Sequence, residues 1–384
     1  MLWFYIPWVV YSLLEVGNMS SEIDFGTISS RWFAEIRTMA IQVIYGMLIC
    51  AAIFVRKEQI KTVYKIWGVC VIICTLKTLM QQYIGFDYAE NAFLAAGGSK
   101  THFVNGIIRY FSLFSDAANY GCNMAATTAV FGAVTLSCKI KKEKLFFAIV
   151  TCCALYGMMA SGTRTGIFVL GVGAVVYAVL SKRVAALVTT ILFGGVFFFI
   201  MAFTNIGQGN NMIRRMRSAF SKDDASMTVR EMNQQAMNSY INDLPLGLGA
   251  GIRGGDVPQS NRNYYLSVVA PDSTWVYVNI HYGHLGKYIF LFSFFGIIIY
   301  AGYIVFFRVK DPELRGLLAG LASGAAAMCV AGYANQIQLQ FPNCFLFFGQ
   351  LMLVYLGPDI DRRITEERKR KDKELIEAEA TEVK

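Results

Sequence analysis

Six arginines and one lysine (Arg214, Arg215, Arg217, Lys222, Arg230, Arg253 and Arg262) sit in one polar stretch, residues 204–283. A guanidinium offers a planar fork that grips phosphate oxygens in pairs, whereas an ammonium is a point charge, so this bias points to an anionic ligand. Arg164 stands apart in Ser161-Gly162-Thr163-Arg164-Thr165-Gly166. There it either snorkels to headgroups or, among small neighbours that let the backbone approach closely, faces a ligand. Asp272 precedes an apolar run. Partial burial would raise its proton affinity and make it a usable base, or it caps the helix that follows; the two roles are compatible. His281 is the alternative base. With His284 it forms an i, i+3 pair, but no third ligand stands at a suitable spacing, so neither a metal site nor a cofactor is expected.

Local patterns say how these groups are held. Thr228-Val229-Arg230-Glu231 reads as a capping box, with Val229, Met232, Ala236 and Tyr240 at helical spacing and Leu244-Pro245 as the stop. Arg230 then lies in the first turn, beside unpaired amides that favour an anion, or pairs with Glu231. The glycine-rich Pro245 to Gly255 segment fits an ordinary flexible connector and lacks the strand-before-helix context of a nucleotide fold. Trp275, Tyr264, Tyr265 and Tyr277 suit a membrane-interface belt. Lys77, inside an apolar run, lines a polar cavity or snorkels outward.

The frame around them is a membrane protein. Hydrophobic residues make up 55% of the chain and charged ones 16%, with a mean hydropathy of +0.45; these values exclude an ordinary soluble domain. Apolar runs near 2–17, 37–55, 63–84, 117–138, 145–160, 167–180, 184–203, 285–307, 316–334 and 343–357 predict an all-α polytopic bundle of about ten transmembrane helices. One domain, 1–357, includes the loop 204–283; a charged tail, 358–384, follows as a solvated helix or disordered segment. Basic links at Arg56 to Lys61, Lys139 to Lys144, Lys182-Arg183 and Arg308 to Arg315, together with the tail, fall at alternate helix ends. Both termini are therefore expected in the cytoplasm and the long loop outside. The net charge of +9 is then largely topological and gives no reason to invoke nucleic acid. No cleavable signal peptide is read at the start. The nine cysteines all lie in or beside apolar runs, as small core residues, so no disulfide framework is expected.

Taken in order, these pieces resemble the O-antigen ligase and O-antigen polymerase superfamily of bacterial membrane glycosyltransferases. Arg109 to Gly121, with Asp116 and Asn119, looks like the family's segment before a middle helix. Ser161 to Gly166 is similar to its Ser-x-Ser-Arg-Thr-Gly hairpin, with Gly162 and Thr163 as variations. Arg230 followed fifteen positions later by Pro245-Leu-Gly-Leu-Gly matches its arginine helix and turn. The final block departs from the ligase pattern: Asp272-Ser273 replaces His-Asn, while Gly283 and Gly286 keep their places eleven and fourteen residues on.

The resemblance implies a metal-independent, inverting transfer of oligosaccharide from undecaprenyl diphosphate to an acceptor glycan, at the outer face of the bacterial cytoplasmic membrane. It implies Arg164, Arg230, Arg253, Arg214 and Arg217 on the pyrophosphate and a base at Asp272 or His281. Membrane lipids and a chain-length regulator are the partners it suggests. The missing histidine favours polymerase over ligase, and a flippase for the same lipid-linked glycan is the reading from another class.

Overall fold

The computed structural model of the protein describes residues 1–104, 106–182, 184–220, 225–338, 340 and 342–382. The first helices are α1 (Leu2–Leu14), α2 (Phe25–Ile36), α3 (Gln42–Ile53), α4 (Lys57–Tyr83), α5 (Tyr88–Phe93) and α6 (Ser99–His102). A minimal hairpin pairs β1 (Phe103–Val104) with β2 (Ile107–Ile108). Then come α7 (Ala117–Ser137), α8 (Lys141–Ala160), α9 (Thr165–Leu180), α10 (Val184–Phe203), α11 (Asn211–Arg217), α12 (Ala225–Asn242), α13 (Tyr264–Val268), α14 (Thr274–Tyr303), α15 (Pro312–Ala334), α16 (Asn343–Tyr355) and α17 (Gly357–Glu382).

Every apolar run of the sequence falls on a helix, and the protein is an all-α polytopic membrane protein. Among the described residues, five helices are long and apolar enough to cross a membrane. The count is six if Asn343–Tyr355 and Gly357–Glu377, bent by 41°, form one span. Leu2–Gly17, Thr165–Leu180 and Thr190–Phe203 are shorter apolar helices. On α10, Ile191, Leu192, Val196, Phe199 and Phe203 are all exposed, an apolar surface suited to lipid and costly in water. The span read at 37–55 is the second half of a longer element: α2 continues through a π-helical turn at Arg37–Ile41 into α3. Arg31 and Glu35 diluted the apolar signal of its first half.

The organising element is α7, buried on every side from Asn119 to Phe131. Because protein surrounds it, it carries Asn119, Asn123, Thr127 and Thr128 without facing lipid; Asn343 of α16 closes the set by bonding to Asn119 and Asn123. Small residues bring its neighbours close. A Cβ on Gly173 of α9 would come 2.6 Å from that of Ala129, and one on Gly157 of α8 would come 2.4 Å from the Tyr120 hydroxyl.

Three local expectations need correction. The helix assigned to a cap at Thr228 begins at Ala225, so Thr228 is already inside it. Its side chain and those of Arg230 and Glu231, like all of Lys222 and Arg183, lie outside the described part. The N-cap of α14 is Ser273, whose Oγ accepts from Trp275 N–H, and not Asp272. The span read at 285–307 starts earlier, at Thr274, so that the stretch 204–283 contains α11 to α13 and the start of α14.

Candidate active site

The hairpin between α8 and α9 is where arginines gather. Ser161 N–H continues the α8 ladder to Gly157, and Gly162 turns the chain at φ +59°, a region that favours glycine. Thr163 Oγ1 donates to the Ala117 carbonyl of α7 at 2.7 Å. Gly121 makes this docking possible, since a Cβ there would lie 2.1 Å from Ser161 Oγ.

Two arginines from distant segments bind the hairpin's polar edge. Arg109 donates to Ser161 O (3.3 Å), Thr163 Oγ1 (3.1 Å) and Thr101 O (2.9 Å). Arg215 of α11 donates from Nε to Gly162 O at 2.8 Å. Arg164 leads into α9, with Nη1 3.4 Å from Ser218 Oγ. Burial, then the positive charge of Arg215, push the Arg109 guanidinium down to about 10, with Arg164 adding to the shift and Asp116 opposing it. It remains protonated at neutral pH, and a site that crowds cations to this degree gains from an anion. Asp116 is committed as the cap of α7, accepting from Ala118 and Asn119 N–H at 2.8 Å each. Buried His102 supports the same edge. Its Nδ1 faces the Gly98 carbonyl at 2.8 Å, and its Nε2 accepts the Ala117 amide at 3.2 Å, a pairing that needs the neutral ring.

The segment that follows Asp272 is linked to this hairpin through α15. Thr274 Oγ1 donates to Asn335 O at 3.4 Å, and Asn335 Nδ2 donates to Thr165 Oγ1 at 3.4 Å. The start of α14, the end of α15 and the start of α9 thus meet, with Asp272 and Arg164 each one or two residues away. Asp272 is exposed, at φ +49°. The burial expected to raise its proton affinity is not there.

The glycine segment is structural rather than a loose connector. At Gly283, φ +66°, the α14 ladder breaks, freeing the carbonyls of Ile280 and His281. Leu248 N–H and Gly249 N–H take them at 2.7 and 3.0 Å. Gly247 and Gly283 must both be glycine, because a Cβ on either would come 2.4 Å or less from the other strand's backbone. His281 is buried in this joint, with Nδ1 3.0 Å from Gly249 O. A carbonyl only accepts, so Nδ1 carries the proton and Nε2 keeps a lone pair. His284 instead faces Asn242 Oδ1 at 3.3 Å. Among the described residues no three His, Cys, Asp or Glu side chains are placed to share a metal ion.

Of the arginines singled out by sequence, Arg164 is at the hairpin. Arg217 turns to the Ile206 carbonyl (2.7 Å), Arg214 is exposed on α11, and Arg253 sits at the α2–α14 joint. Arg109 and Arg215 were missed as site residues. Sequence shows the Arg214-Arg215-Met216-Arg217 cluster but not which member faces inward. Trp275 stacks on Phe295 (centroids 5.6 Å apart) and Tyr265 on Tyr240 (4.9 Å). Lys77 reaches past the end of α4 to pair with Asp87 and Glu90 at 2.7 and 2.9 Å.

Fold and site together define a polytopic helical membrane protein with a guanidinium-rich site at one end of its bundle. Residues 148–286 match the family model described as O-Antigen ligase, a match that supports the O-antigen ligase/polymerase superfamily. Neither a search of curated proteins nor one of solved structures found a match.

Proposed function

We propose that the protein is a polymerase of a bacterial cell-surface polysaccharide, extending a glycan from an undecaprenyl-diphosphate-linked donor. The observation that carries this is the convergence of Arg109, Arg164 and Arg215 on one hairpin inside the matched segment. The positive-inside pattern supports placing this end, with loop 204–283, at the outer face of the cytoplasmic membrane and both termini inside. The guanidiniums hold the diphosphate and offset the charge that develops as it leaves. The acceptor hydroxyl attacks the anomeric carbon from the face opposite the departing phosphate oxygen. Its proton passes to Asp272, the new C–O bond forms, and undecaprenyl diphosphate departs with the electron pair. Asp272 is exposed and stands two residues before Thr274, whose contact with Asn335 leads on to Thr165, the residue after Arg164, and this supports the role.

Purified protein in liposomes, given lipid-linked repeat units, should lengthen the glycan and release undecaprenyl diphosphate, and should continue to do so under exhaustive chelation. Transport of the lipid across the bilayer at unchanged glycan length would replace this reading with a flippase. Transfer to lipid A core alone would make the protein a ligase. Asp272→Asn tolerates the left-handed backbone but cannot take the proton, so turnover should fall by a factor on the order of 10² or more with normal insertion. Near-normal turnover, with an inactive, folded His281→Ala, would move the base to His281 Nε2.

A further inference from the structure

Glu35 has no part in the site above, yet its surroundings are built around it. It lies in the last turn of α2, on the same face as Arg31 one turn earlier. Arg31 pairs with Asp256 at 2.6 Å, and the other Asp256 oxygen accepts Arg253 N–H at 2.8 Å, clamping residues 253–256 against that face. Gly251 crosses directly over it at φ +74°, where a Cβ would lie 2.8 Å from Arg31 O and 3.1 Å from Glu35 Cβ. From α14 the Tyr277 hydroxyl donates to Glu35 Oε1 at 2.8 Å, and the Tyr277 ring lies 4.2 Å from that of His281. Glu35 and Tyr277 are half-buried and Arg253 is exposed.

Arg253 is within electrostatic reach of Glu35, Tyr277 and His281, but no ion pair joins it to Glu35. A carboxylate and a guanidinium that sense each other without touching suit a ligand with donors on one side and acceptors on the other. Neighbouring hydroxyls of a sugar are both at once, and a tyrosine beside them adds a face to pack on. We infer that Glu35, Arg253 and Tyr277 form the acceptor-sugar subsite, taking a neutral pyranose whose hydroxyls donate to Glu35 and accept from Arg253. This rests on the transfer reading for its purpose. Tyr277 is four residues after Ser273, about 6 Å along the helix, so the subsite and Asp272 belong to the same end of α14. Glu35 binds the acceptor directly, and Arg253 moves from the diphosphate to the acceptor.

The test compares wild type with Glu35→Gln and Tyr277→Phe. Expected is a rise of about tenfold in acceptor KM with a smaller change in kcat. Saturation-transfer NMR with the methyl glycosides of galactose, rhamnose and N-acetylglucosamine reads binding without reaction. At least one should bind wild type and lose its signal in Glu35→Gln. Binding by a wild type that performs no transfer would keep the subsite and remove the transfer reading. Transfer with unchanged acceptor KM in both variants would remove the subsite and leave the transfer reading standing. A fall in kcat alone, at constant acceptor KM, would also overturn it.

Discussion

Both ends of the bundle are rich in cations, and the hairpin at one of them treats its cations differently from the helix ends at the other. At one end, Lys57 and Lys61 share Glu313, Lys65 pairs with Glu143 at 2.8 Å, and Arg368 reaches buried Asp311. These side chains link α4, α8, α15 and α17 by acid–base pairs. At the other end, Arg109 and Arg215 are held by the carbonyls of Ser161, Gly162 and Thr101, with Arg164 beside them. A carbonyl fixes a guanidinium's direction without cancelling its charge. The first arrangement joins helices, and the second gathers guanidiniums from three segments on one hairpin. Net charge alone, +9 over the chain, does not separate these uses; what each cation bonds to does.

The largest expected effect separates the ends by substitution. Arg109→Lys, Arg164→Lys and Arg215→Lys keep the charge but lose the fork, and each should lower turnover by a factor on the order of 10² while the folded yield stays near wild type. Full turnover in all three would make the hairpin arginines structural. At the opposite end Glu313→Gln removes two half-buried pairs. It should cost about 1 kcal/mol in thermal unfolding and leave turnover per folded molecule unchanged; a loss of turnover would erase the contrast.

The smallest effect is pH-dependent. Burial, reinforced by the charge of Arg109, holds His102 below its ordinary value, so the folded state favours the neutral ring. Stability from the Ala117 amide to Nε2 is fully present above the ordinary histidine value of about 6.5 and is lost as pH falls through the lowered one. Unfolding midpoints measured from pH 7.5 to 5 should drop in wild type, and less steeply in His102→Gln. Parallel profiles would show that His102 does not sense pH.

Much of this was legible in the sequence. Every run that hydropathy picked out lies on a helix, and the small-residue hairpin around Arg164 marked its own position, because both signals are local. Longer-range placement was not. Glu35 read as one acid beside an apolar run, and only the crossing of Gly251 and the reach of Tyr277 give it surroundings. Arg109 and Arg215 bond to a hairpin some fifty residues away from each, which no spacing rule encodes. The Pro245 to Gly251 segment looked like a connector because the freed carbonyls it binds belong to a break in another helix. Asp272 seemed a cap, but its left-handed backbone hands that position to Ser273.

The central claim is that the hairpin guanidiniums hold a lipid-linked diphosphate, and binding tests it more directly than turnover. Native mass spectrometry of the detergent-solubilised protein with undecaprenyl diphosphate should show the lipid retained by wild type and by Lys57→Arg at the far end. The Arg164→Lys/Arg215→Lys double variant should bind it about tenfold more weakly or worse. Equal retention by the double variant and wild type would contradict the account.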